Sequence, residues 1–227
     1  MCRYVLTGLI CLLAGGEPTL AANDDSPPAS APLAGKPIIS MEEPMPGDFW
    51  TYEVRDEISG TVKAVRNNLV TEVTATEISV RFNIQGKPQN GFNVYDRSWN
   101  LKGSAPWKYT PHDGSGIQSP LKVGANWKSE ADDINAGNGN IWKRSSRSKV
   151  LGQEAVTTKA GTFDTFKIET TINRRPTSDP TRKVEITQQT WYAPSIDHWV
   201  KRTVVARGNG NLIANDTVEL VEYGRRK

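Results

Sequence analysis

The stretch HWVKRTVVARGNGNLIANDTVELVEY, residues 198–223, decides the fold class. Two extended runs, 198–207 and 212–223, flank Gly208-Asn209-Gly210-Asn211. Glycine and asparagine tolerate the positive φ that tight hairpins demand, so this reads as strand, turn, strand. The same tetrapeptide recurs at Gly137-Asn138-Gly139-Asn140 and predicts a second hairpin between residues 129–134 and 141–151.

Working outward, the chemistry stays the same. From Pro46 to Lys227 there are 16 Val, 11 Ile and 18 Thr against 6 Leu, with no Met or Cys. β-Branched side chains fit a pleated sheet, whereas Leu and Met favour helices. Residues 48–55 alternate, with Trp50, Tyr52 and Val54 on one face. Residues 61–75 and 77–84 pair as a hairpin across Thr76. Residues 86–91 are turn chemistry, 91–101 one strand, 110–120 a loop, and 124–127 the start of another strand. The expectation is an all-β single domain over 47–227, a meander of nine to eleven antiparallel strands with little helix. That many twisted strands must curl or split into two layers.

The first residues differ. Residues 1–22 read as a secretory signal peptide: Arg3, an apolar run from Val5 to Ala14, then small residues at Ala21 and Ala22. The run is too short for a stable membrane span. Cys11 lacks the Leu three positions before it and the small residue just before it that a lipid-attachment motif needs. Both cysteines, Cys2 and Cys11, fall inside this signal, so the exported chain has no thiol and must rely on its core. Residues 23–46 are rich in Pro, Ala and Ser and read as a flexible linker. With 28 basic and 25 acidic residues, the +3 net charge gives no reason to expect nucleic acid as a partner.

The second half resembles the TapB-like group and related domains of unknown function, exported β proteins of Gram-negative bacteria. The carrying residues run from Val156 through Ala160-Gly161-Thr162-Phe163 to Ile168. Thr190-Trp191-Tyr192-Ala193-Pro194 and Trp199-Val200-Lys201-Arg202 follow. Lys159 stands where the family usually has Pro, and Ile196-Asp197-His198 fills a place where it often has Gly. The resemblance implies a curved antiparallel sheet of the half-barrel kind used by periplasmic carriers, and it implies no activity. The residues themselves read as architecture. Gly161 permits a tight turn, Phe163 plugs the sheet, Trp191 belongs to a strand, and Pro194 ends it.

Candidate chemistry is sparse. A hydrolase needs a nucleophile, a base and an orienting acid in one cleft. Only His112 and His198 exist, and Asp197 beside His198 points to the opposite face of a strand. Asp132-Asp133-Ile134-Asn135 offers oxygen ligands for calcium, but without the spacing of a calcium loop. No catalytic, cofactor or metal residues are therefore assigned. Seven Trp are present, and aromatics fill β cores or line apolar cavities. Trp50 and Trp127 read as core; Trp107, Phe163 and Trp199 are the candidate groove or rim residues. The doublets Lys143-Arg144, Arg174-Arg175 and Lys201-Arg202 read as solvated faces and edge protection. The expectation is a periplasmic or secreted, non-enzymatic β protein. It either holds an apolar envelope molecule on a curved sheet or serves as a structural module binding an envelope protein. A hydrolase of unknown type is the disfavoured third reading.

Overall fold

The first strand, β1 (Asp48–Asp56), shows why the sheet closes. Its alternation buries Trp50 and Tyr52, which are 1% and 2% exposed, on the inner face. It pairs on one side with β2 (Val62–Val73) and on the other with the last strand, β12 (Asn211–Arg225). A strand bonded to both its successor and the end of the chain leaves no edge. The computed structural model describes residues 40–88 and 90–226, which form a closed antiparallel barrel of twelve strands. The expected signal, and residues 23–39 of the linker, lie outside the described residues.

Between β2 and β12 each strand pairs with the next. In order they are β3 (Glu77–Ile84), β4 (Asn90–Asp96), β5 (Leu101–Ser104) and β6 (Trp107–Thr110), then β7 (Asn126–Asn135) and β8 (Ile141–Thr158). β9 (Gly161–Pro176), β10 (Val184–Ala193) and β11 (His198–Gly208) complete the set. The two Gly-Asn-Gly-Asn segments join β7 to β8 and β11 to β12. The only helical element among the described residues is a 3₁₀ turn, Pro194–Ile196.

Two expectations are corrected. The sheet is neither a half-barrel nor a two-layer meander, and it has twelve strands rather than nine to eleven. The expected strand over 91–101 breaks after Asp96, whose Oδ1 accepts from the backbone of Ser98 and Asn100. The missed pair β5 and β6 has four residues in each strand, too few to display a period of two, and Pro106 stands in the turn between them. Closure itself is aided by bulges, such as those at Thr51/Tyr52 and Val150/Gly152, which sharpen the local twist.

The barrel has a filled end and a hollow one. At the end near the 3₁₀ turn, Met41, Ile78, Phe163, Ile196, Val200 and Leu220 form a dry cluster. Residues 111–125 fold back over the barrel there, with Asp113 and Ile117 donating backbone bonds to Leu101 (2.8 Å) and Ser98 (2.7 Å). The expected linker gives up its last residues to this cluster. Met41 is 1% exposed, Pro44 is buried, and the Met41 amide donates to Ser195 at 2.9 Å. Of the expected linker, Met41 and Pro44 thus pack onto the barrel.

The seam between β1 and β12 is locked by charge. Asp48 is fully buried and accepts two bonds from Arg225, at 2.5 and 2.9 Å, and one from the Met45 amide at 2.8 Å. Hydrogen bonding to Asp48 raises the Arg225 pKa further. Beside it, Gly47 has φ +95, and a Cβ there would lie 2.5 Å from the Arg226 carbonyl oxygen, so only glycine fits.

Alternation splits each basic doublet, which corrects the reading of these pairs as solvated faces. The Lys143 side chain is 66% exposed and that of Arg144 is 9% exposed. Arg174 reaches the fully buried Asp133, and Lys201 and Arg202 likewise fall on opposite faces. Nor is there an edge to protect. No helix of the described residues is long and apolar enough to cross a membrane. The outward side chains of β8 and β9 include Lys143, Arg147, Lys149 and Thr171, where a lipid-facing barrel carries an apolar band.

Candidate functional site

The inner faces of the strands enclose a cavity of about 440 Å³. This lies in the range of small-molecule sites, ~300–1,000 Å³. Its lining runs from Trp50 and His198 in mid-barrel to Val54, Ile186, Val204 and Val218, close to the β1–β2 and β11–β12 turns. A larger depression of about 690 Å³ between β7, β8 and β9 is a less convincing site. Most of its cations are already paired, Lys143 with Asp132 at 2.8 Å, Arg144 with Asp133 at 2.8 Å and Lys183 with Glu185 at 2.6 Å.

Aromatic rings build the closed part of the cavity. His198 packs at 4.5 Å from Trp50 and 4.6 Å from Trp99, centroid to centroid. Tyr52 stacks on Trp199 at 3.8 Å, its hydroxyl donating to the Trp199 carbonyl at 2.8 Å. Burial pushes the His198 pKa down to about 3, helped by the nearby Arg202, so the ring is neutral. Its Nδ1 and the Trp50 Nε1 are both buried without a hydrogen-bond partner among the described residues. Asp197 does not orient this histidine; its carboxylate accepts from Trp99 and Tyr192.

Three arginines, Arg66, Arg144 and Arg202, line the cavity. Arg144 is neutralised by Asp133 through bonds of 2.8 and 2.9 Å. Arg174 Nε lies 2.7 Å from the same carboxylate but is too poorly aimed to count as a hydrogen bond. Arg66 and Arg202 have only neutral partners. Arg66 donates to Asn68 (3.0 Å) and lies over the Phe82 ring at 3.8 Å. With its amide turned so that both ends are satisfied, Asn93 accepts from Arg66 Nη2 at 2.9 Å and from the Tyr95 hydroxyl at 2.7 Å. Arg202 donates to Thr190 at 3.2 Å and lies over Trp199 at 4.5 Å. Burial lowers the pKa of both arginines and raises those of Tyr52 and Tyr95 between them.

Of the three candidate groove residues, Trp199 lines the cavity. Phe163 sits in the dry cluster, edge-on to Tyr223 at 5.5 Å. Trp107 is half-buried outside the lining, with the Arg174 guanidinium 5.8 Å from its ring. Gly161 opens β9 with φ +137, Trp191 is 7% exposed and bonds Glu154, and Pro194 starts the 3₁₀ turn. His112 is spent on its own loop, accepting from the Gly114 amide at 3.1 Å. The calcium alternative at Asp132 and Asp133 meets carboxylates already held by Lys143, Arg144 and Arg174. Among the described residues no cluster of three metal-binding side chains occurs. The reading of the sequence missed Arg66, Tyr95 and Arg202, although strict alternation from Val200 through Arg202 to Val204 was available to place Arg202 inside.

The family described as DUF3108-like matches residues 118–209, the part of the chain holding β7 to β11. The TapB-like name itself is not among the matches. No curated protein matches the chain. Two solved structures are similar in fold. One, from Parabacteroides distasonis, is provisionally described as a lipoprotein. It is 14% identical, with 82% of this chain and 99% of that one covered and a TM-score of 0.51. The other, from Bacteroides fragilis, is provisionally described as an exported protein with a YmcC-like fold. It is 16% identical, with 80% and 97% covered and a TM-score of 0.52.

Proposed function

We propose that this protein is a non-enzymatic carrier or sensor of the cell envelope that holds a small, largely apolar molecule inside its barrel. The observation that carries the reading is the cavity of about 440 Å³, closed by dry packing at one end and walled by aromatic and β-branched side chains. Side chains alone fill a barrel of about eight strands, so twelve strands leave room on the axis for a small ligand. An envelope location is supported by the signal-like opening residues and by the descriptions given to the two fold relatives.

A second reading, a protein-interaction module, rests on Ile58 and Ile213. Ile58, on the β1–β2 turn, is 66% exposed, and Ile213, near the start of β12, is 59% exposed. Native mass spectrometry of protein purified from a periplasmic fraction separates the two. The carrier reading expects an added mass of a few hundred daltons that is lost on denaturation. It also expects Val218→Trp, which fills the cavity, to prevent the addition while the protein remains folded. Protein with an unadorned mass and no uptake of added dodecanol would overturn it.

A further inference from the structure

We propose that the cavity recognises an anionic head group, a carboxylate or phosphate attached to an apolar tail, through Arg66 and Arg202. This deepens the carrier reading and rests on it.

The argument is one of charge accounting inside a wall of protein. A guanidinium carries five donors and stays ionised, and its removal from water is offset only by an anion or a full set of hydrogen bonds. Arg66 makes two hydrogen bonds and Arg202 one, all to neutral acceptors. Neither forms an ion pair among the described residues, although the neighbouring Arg144 does. The carboxylate facing the same cavity is Asp113, whose Oδ1 is taken by the Leu101 amide and by the Ser115 amide and hydroxyl, at 2.7 to 3.0 Å. Asp113 bonds neither guanidinium, and its single charge offsets at most one of the two, which leaves an excess positive charge on the cavity wall.

A second, independent observation points the same way. Trp50 Nε1, on a side chain 1% exposed, is a buried donor without a partner at the closed end of the same cavity. Native interiors satisfy such groups, so an orphaned donor on a cavity wall marks where a ligand or water oxygen sits. The apolar side of the cavity, Val54, Ile186, Val204 and Val218, then accepts the tail. Bidentate guanidinium recognition suits both planar carboxylates and phosphates, so the oxyanion class is what the site specifies.

Tryptophan emission reads the test directly, since Trp50, Trp99 and Trp199 line the cavity. The full exported chain is titrated with dodecanoate, dodecyl phosphate, dodecanol and inorganic phosphate. The expectation is that one or both tailed anions bind at least tenfold more tightly than dodecanol, and that inorganic phosphate does not bind. Arg202→Met and Arg66→Met should abolish that preference; Arg202→Lys should keep part of it. Equal affinity of the wild type for dodecanol and the tailed anions overturns the head-group assignment and leaves the carrier reading standing. Binding of none of the tailed probes overturns both. Tight binding of inorganic phosphate alone overturns the tail. Should a Met variant fail to fold, the comparison of probes on the wild type decides alone.

Discussion

Trp99 and Asp197 hold each other across the filled end of the barrel, both in left-handed backbone. The indole Nε1 donates to Asp197 Oδ2 at 2.9 Å, with φ 62 at the tryptophan and φ 44 at the aspartate. A bulky residue at positive φ is strained, and such strain persists only where the surroundings impose it. The second oxygen of Asp197 accepts from the Tyr192 hydroxyl. One side chain thus fixes two aromatic walls. Asp197→Ala leaves both donors without a partner and should cost about 1–3 kcal/mol in urea unfolding. Asp197→Asn, which keeps an acceptor for the indole, should recover most of it; equal losses would mean that these bonds do not hold the rings.

The turn from β8 into β9 separates backbone strain from packing. A Cβ on Gly161 meets nothing closer than 4.0 Å, so Gly161→Val suffers only from its φ of +137 and should cost about 1–3 kcal/mol. Phe163 is 5% exposed in the dry cluster, and Phe163→Ala should cost about 3–5 kcal/mol. Neither change should alter the affinity for dodecanol, because neither residue lines the cavity. Normal stability of Phe163→Ala with lost binding would make Phe163 a ligand contact instead.

Arg225→Ala should cost about 3 kcal/mol, because it strands the fully buried Asp48 carboxylate with only the Met45 amide. Arg225→Lys should restore a part, since an ammonium cannot reproduce the two-pronged contact. Thermal unfolding of the two variants checks the order; an unchanged midpoint for Arg225→Ala would show that the seam does not depend on this pair.

His198 gives the fold a pH signature. Its pKa is about 3 when folded and 6.5 when unfolded, so the unfolded chain takes the proton first as pH falls. The contribution is complete above 6.5 and is lost at about 1.4 kcal/mol per pH unit down to about 3. His198→Phe keeps an aromatic ring beside Trp50 and Trp99 and cannot titrate. Between pH 6.5 and 5 the wild type should lose about 2 kcal/mol more than the variant in urea unfolding. Parallel curves would mean that the ring is protonated in the folded barrel.

Hairpin signals were local and therefore readable. The two Gly-Asn-Gly-Asn turns, the break near Thr76 and the alternation of Trp50, Tyr52 and Val54 all lie within a few residues of the structure they specify. Closure had no such signal: Asp48 faces Arg225, and no short window contains both. The site was hidden for a related reason. Lys201-Arg202 reads as a polar pair until each residue is assigned to a face, and a charge is ordinarily placed outside. Trp199 was legible as a cavity residue because an aromatic ring is at home there in any fold. Trp107 carried the same signal but lies on β6, whose four residues gave no period to orient it.

The pairing of β1 with β12 has a consequence for the life of the chain. Until Asn211 to Arg225 arrive, β1 and β11 each present a bare row of amides and carbonyls, so any product cut short before β12 is an open sheet. Such a fragment is a template for aggregation and a substrate for proteases, whereas the closed barrel has no free edge. Closure of the barrel and acquisition of stability thereby become a single event. The fifteen-residue strand β12 acts as the seal between the first strand and the eleventh.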